Sequence, residues 1–194
     1  MAKPKLLLVD GSSLAFRAFF SILDLNRFKN SNGLHTNALY SFHRMFKSIL
    51  DSEKPTHVLV AWDAGKTTFR TEMYADYKGG RSKTPGEFIE QMPYFNVLLD
   101  AWGIPHYRLN QYEADDIIGT LAKQGEAAGY EVVVLSGDKD LIQLADNNIT
   151  VKIMTKGVTE LVEYTPEVIF EKYGLTPEQI IDMKGLMGDS SDNY

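Results

Sequence analysis

EVVVLSGDKD, the stretch from Glu131 to Asp140, decides the fold. Its apolar run, Val132 to Leu135, leaves no polar face, so the segment reads as a strand buried on both sides. Gly137, Asp138 and Asp140 follow at once, ahead of a helix expected from Leu141, Ile142 and Leu144. In that turn Gly137 is expected to supply unusual backbone angles and Asp138 the helix cap. Capping requires one aspartate; the second is surplus. The arrangement recurs in KLLLVD, ending at Asp10, and in HVLVAWD, ending at Asp63. Strands buried on both faces belong to parallel sheets, whose ligands bind at the C-terminal edge.

Working outward, strand-like runs at 5–9, 57–62, 104–107, 131–135 and 149–154 alternate with helical patterns. That alternation predicts an α/β layer fold with a mostly parallel sheet. Ser12 or Ser13 is expected to cap the helix through Leu14, Phe16, Ala18 and Phe19. A second helix is expected from Thr36 or Asn37 to Pro55, and a third from Pro85 to Gly103. A fourth is expected from Glu113 to Ala128, stopped at Gly129. Lys156-Gly157 reads as the turn of an edge hairpin, and Thr165-Pro166 and Thr176-Pro177 each as a helix start. The polar, basic and aromatic stretch 64–84 fits no core element and reads as a functional insertion.

At 194 residues and 44% hydrophobic, the chain suits one domain with a substantial core. It has no cysteine, which excludes disulfides, thiolate metal sites and a cysteine nucleophile and fits a reducing compartment. No apolar stretch approaches membrane-span length, and Asp10 interrupts the N-terminal run too early for a signal-peptide core. The chain therefore reads as soluble and cytoplasmic, with no membrane partner.

The remaining acids sharpen the reading. Glu113, Asp115 and Asp116 open a helix, where the macrodipole favours anions, and Asp189 and Asp192 stand in GDSSDN near the C-terminus. Together with Asp10, Asp63, Asp138 and Asp140 they would crowd one crevice. Such anions repel one another unless cations are shared among them, and all-oxygen ligands suit Mg²⁺ or Mn²⁺. The expectation is a multi-metal carboxylate site. The net charge of −6 argues at first against a nucleic-acid partner, but its distribution is uneven. Lys66, Arg70, Lys78, Arg81 and Lys83 face only Glu72 and Asp76 over one segment, interleaved with Phe69 and Tyr77. Aromatics for stacking and cations for phosphates suit single-stranded nucleic acid. The four histidines show no metal-ligand spacing.

LLLVDGSS with Arg17, AWD at 61–63, Phe69-Arg70, YKGGR at 77–81, EADD at 113–116, SGDKD at 136–140 and GDSSDN at 188–193 occur in one order along the whole chain. In this the sequence resembles the N-terminal 5′ nuclease domain of bacterial DNA polymerase I, a member of the flap endonuclease superfamily. The resemblance implies a PIN-like (resolvase-like) three-layer α/β fold with a helical arch over about 64–84. It implies a two-metal phosphodiesterase acting on DNA with a 5′ end or 5′ single-stranded flap, or on an RNA primer in an RNA–DNA hybrid. By the same resemblance Asp10, Asp63, Glu113 and Asp115 surround a first metal. Asp138, Asp140 and Asp192, sharing Asp115, surround a second, with Asp116 and Asp189 as additional acids. Lys78 and Arg81 are the implied catalytic pair on the arch. Arg17, Lys66, Phe69, Arg70, Tyr77 and Lys83 join them in DNA binding.

The family continues into a helix-hairpin-helix module that grips duplex DNA, and this sequence stops at Tyr194 before it. The expectation is thus one PIN-like catalytic domain over 1–194 without that module, with a non-catalytic, metal- and single-strand-binding fragment as the alternative. Other strand-end aspartate enzymes fit less well. A haloacid-dehalogenase-like phosphatase needs a second aspartate where Ser12 stands, and a receiver domain needs an acidic pair after the first strand, which offers only Asp10. A PIN ribonuclease would not need the 64–84 segment.

Overall fold

The protein was analysed as a computed structural model, which describes residues 3–65, 67–79, 83–155 and 160–189. Its centre is a sheet of six strands: β1 (Lys5–Asp10), β2 (His57–Trp62), β3 (His106–Arg108), β4 (Glu131–Ser136), β5 (Ile149–Met154) and β6 (Leu161–Tyr164). They lie in the order β3-β2-β1-β4-β5-β6, and every pair is parallel except β5–β6. The edge hairpin expected around Lys156-Gly157 thus has its two strands; the turn itself lies outside the described residues.

Alternation along the buried strands divides the core in two, because successive side chains of a strand point to opposite faces. Leu7, Val9, Val133 and Leu135 face one side and pack under α1 (Gly11–Phe20), α2 (Asn37–Glu53) and the short α4 (Gly86–Ile89) and α5 (Met92–Ala101). The opposite face, with Leu8, Val132 and Val134, packs under α6 (Ala114–Ala127), α7 (Pro166–Tyr173) and α8 (Pro177–Met187). The result is the α/β layer arrangement that the alternation predicts, in the three layers that the resemblance implies. α1 approaches β2 so closely that a Cβ at Gly11 would stand 2.7 Å from Val60 Cγ1 and 2.9 Å from Trp62 Cδ2. Thr165 and Thr176 cap α7 and α8 as read from their Thr-Pro pairs. Among the described residues no helix is long and apolar enough to cross a membrane.

Three local expectations change. The cap of α1 is Asp10 itself, whose Oδ1 accepts from Ser13 N at 2.9 Å, rather than Ser12 or Ser13. The segment after Asp138 is a 3₁₀ helix, Lys139–Leu144. The helix expected from Pro85 to Gly103 is broken between α4 and α5 by Gln91 and Pro93. Proline has no N–H and suits only a first turn, so α5 restarts there. Gln91 is fully buried, and its Oε1 accepts from Ala38 N and Leu39 N at 3.0 and 3.3 Å. Its Nε2 donates to Asn37 Oδ1 and Glu87 O. The break therefore caps the start of α2 from a distant part of the chain, satisfying donors a helix start leaves unpaired. Gln91→Ala is expected to destabilise the fold by about 3 kcal/mol, since it leaves buried polar groups without partners. Chemical denaturation of the two proteins measures it.

Candidate active site

The strand order brings the acids together. β2 and β4 flank β1, so the carboxylates at or just beyond their C-terminal ends, Asp63, Asp10 and Asp138, become neighbours on one sheet edge. Asp10 is buried; besides Ser13 N, it accepts from Ser136 Oγ at 2.7 Å. Ser136 Oγ in turn accepts from Asp138 N at 3.0 Å, and Asp138 Oδ1 from Asp140 N at 2.8 Å. Gly137 donates its N–H to Ser13 Oγ at 2.9 Å and has no positive φ. Its role is space rather than the unusual backbone angle expected, for a Cβ there would run into Ser13 Oγ. Asp63 Oδ1 accepts from Ala114 N at 2.8 Å, tying the end of β2 to the first turn of α6. That turn delivers Asp115 to the same edge.

Burial pushes the Asp10 carboxyl up to about 6; the Ser13 and Ser136 hydrogen bonds resist this, while the charges of Asp63 and Asp138 add to it. Asp115 is likewise raised, by burial first and then by Asp10, Asp138 and Asp63, with Lys78 opposing. Asp10 and Asp115 thus sense the charges of Asp63 and Asp138, a condition that favours a shared cation.

Glu113 and Asp116 form a second layer. Glu113 caps α6 and is buried, and Asp116 Oδ2 accepts its backbone N–H at 2.9 Å. Arg70, on the short helix α3 (Phe69–Met73), grips Asp116 with both guanidinium nitrogens at 2.8 and 2.7 Å. Burial would raise the Asp116 carboxyl, but the Arg70 bonds, the Glu113 N–H and the charges of Arg70 and Lys78 together outweigh it and hold the group below its ordinary value. Lys78 Nζ donates to Glu113 Oε1 at 2.7 Å, and Tyr77 OH to Oε2 at 3.2 Å. Lys78 takes a left-handed backbone, φ 58°. Across a cavity of about 350 Å³, Asp140 pairs with Lys184 at 2.7 Å, and Lys184 with Asp189 at 2.8 Å.

Among the implied DNA contacts, Phe69 lies against Tyr112 and beneath the Arg70 guanidinium, and Lys83 is exposed. Arg17 donates to the Met154 and Thr155 carbonyls at 2.6 Å each. Lys66, Arg81 and Asp192 lie outside the described residues. The sequence reading gave no role to Ser136 or Lys184. A hydroxyl at the buried end of β4 was a usable signal for the first; nothing in the sequence joins Lys184 to Asp140.

The donors are carboxylate oxygens throughout, and the raised, crowded acids fit hard divalent cations. Among the described residues no group of three or more acidic or histidine side chains forms a ready-made metal cage.

Comparison with known proteins agrees with this geometry. The family described as "5'-3' exonuclease, N-terminal resolvase-like domain" matches residues 5–174. DNA polymerase I of Lactococcus lactis subsp. cremoris is 60% identical over 99% of the chain, and that of Bacillus subtilis 62% over 98%. The chain spans 22% and 21% of the length of those proteins. T5 5′-exonuclease, in a structure with bound zinc, shares 26% identity at a TM-score of 0.71 over 97% of this chain and 68% of its own. Flap endonuclease-1 from Methanococcus jannaschii shares the fold, with a TM-score of 0.57 at 19% identity over 97% of this chain and 65% of its own. By sequence and by architecture, the chain belongs to the 5′-3′ exonuclease family, as a domain of the N-terminal, resolvase-like type.

Proposed function

We propose that this domain is a metal-dependent 5′ nuclease that hydrolyses phosphodiester bonds in DNA with a 5′ end or 5′ flap, as in primer or flap removal during replication and repair in the cytoplasm. One observation carries the reading: on a single sheet edge beside Lys78, the charges of Asp63 and Asp138 add to burial in raising the Asp10 and Asp115 carboxyls. A T5 flap endonuclease of the same fold, 26% identical, has been crystallised with DNA and metal ions, which supports the same substrate class here.

A phosphodiester is shielded by its own charge, and two bound divalent cations, Mg²⁺ or Mn²⁺, would activate water and neutralise the charge that develops on the phosphate. Asp10, Asp63, Glu113 and Asp115 are the first set of ligands in this proposal, directly or through water. Asp138, Asp140 and Asp192, with Asp115 shared, are the second, and Asp116 and Asp189 complete the acidic surround. Ser136 and Ser13 fix the Asp10 carboxylate, and Arg70 fixes the first turn of α6 through Asp116. Lys78 and Arg81 then stabilise the phosphate's developing charge. Tyr77, Phe69, Arg17, Lys66 and Lys83 complete the nucleic-acid contacts, and the segment 64–84 serves as the arch. An RNA primer paired to DNA presents the same scissile chemistry and belongs to the proposed substrates.

The test is cleavage of a 5′-labelled flap duplex in Mg²⁺ and in Mn²⁺, with EDTA and Asp138→Ala as controls. Short products that need both metal and Asp138 are expected. Cleavage that persists in the variant sinks the metal-site reading, and absence of product at high enzyme concentration favours a domain that binds metal and single strands without cutting.

A further inference from the structure

We propose that Lys78 and Lys184 are resident counter-cations of the carboxylate crevice, holding its two sides in the metal-free protein and displaced when divalent ions are taken up. The inference rests on the metal-site reading above and adds an order of events to it. From the side of the 64–84 segment, Lys78 Nζ sits 2.7 Å from Glu113 Oε1. From α8, Lys184 Nζ bridges Asp140 Oδ1 at 2.7 Å and Asp189 Oδ2 at 2.8 Å. The pairs are well covered: Lys78 and Lys184 keep 24% and 30% of their side-chain surface exposed, Glu113 and Asp189 only 11% and 14%. Water therefore screens them less than it would a surface pair.

An ammonium is a compact point charge with three donors, a reasonable substitute for a cation on a carboxylate oxygen. It carries half the charge of a divalent ion and cannot stay in place beside one, because the two cations repel and compete for the same oxygen. Displacement has a functional consequence. Lys78 is bound to Glu113 in the empty site and becomes available to a phosphate only after metal has entered.

The test is Mn²⁺ binding to the DNA-free chain, read by electron paramagnetic resonance, for the native protein, Lys78→Met, Lys184→Met and the charge-keeping Lys78→Arg and Lys184→Arg. Methionine keeps the apolar stem and removes the competitor, so each Met variant is expected to bind Mn²⁺ about fivefold more tightly, the scale of a partly screened ion pair. The Arg variants are expected to stay near the native affinity. Native or weaker affinity in both Met variants overturns the proposal while leaving the metal site intact; a native protein that binds no Mn²⁺ overturns the metal-site reading itself. A second measurement needs no variant. Acetylation of the native chain, followed by mass spectrometry, is expected to label Lys78 and Lys184 faster in Ca²⁺ than in EDTA, and equal rates overturn the proposal.

Discussion

Asp10→Asn is expected to make the metal-free protein more stable at pH 7 while removing its nuclease activity. The Asp10 carboxyl lies at about 6 in the folded chain against an ordinary 3.8, because burial and the neighbouring Asp63 and Asp138 disfavour its charge. A group raised in this way favours the folded state at low pH. Its contribution is complete below the unfolded value and is lost as pH rises through about 6. At pH 7 the native protein thus bears the full cost of an ionised, buried carboxylate, on the order of 3 kcal/mol. Asparagine keeps an oxygen for the Ser13 N–H and removes the charge. In EDTA, the variant's melting temperature is expected to exceed the native one by roughly 6–12 °C at pH 7. The gap narrows as the pH falls below about 6 and closes only near the ordinary carboxyl value of 3.8. Equal melting temperatures at pH 7 would show that Asp10 carries no such cost.

Asp115→Ala is expected to reduce cleavage by roughly 10³-fold or more, the scale of losing a ligand shared by two cations. Asp115 is the acid whose charge is opposed by Asp10, Asp138 and Asp63 together. It projects from the first turn of α6, whose cap is the Glu113–Asp116 pair rather than Asp115 itself. The helix therefore keeps its start when Asp115 is truncated. Single-turnover cleavage beside circular dichroism separates the outcomes: lost helix content would trace the defect to folding, and retained activity would remove Asp115 from the site.

Much of this was legible in the sequence because the decisive elements are local. KLLLVD, HVLVAWD and EVVVLSGDKD announce strand and carboxylate together, and parallel pairing through β1 makes those three ends converge. The periodicity of Phe88, Met92, Phe95 and Leu99 runs straight through the split of Pro85–Gly103; Pro93 was its one signal in the sequence, and the burial of Gln91 against α2, a tertiary demand, was not legible. Lys184 was hidden for the same reason, since its partner Asp140 belongs to another element. Asp116 is a mixed case. It was read among the acids, but its grip by Arg70 depends on how α3 folds beside α6.

The hydrogen bond between Ser136 and Asp10 joins residues 126 positions apart, and β4 completes the central pairing of β1. On a ribosome, the first strand would wait, its aspartate unsupported, until most of the domain had emerged. A chain arrested before residue 131 would leave β1 paired with β2 alone and would lack the hydroxyl that fixes Asp10. The support of Asp10 would therefore arrive in one late step of synthesis.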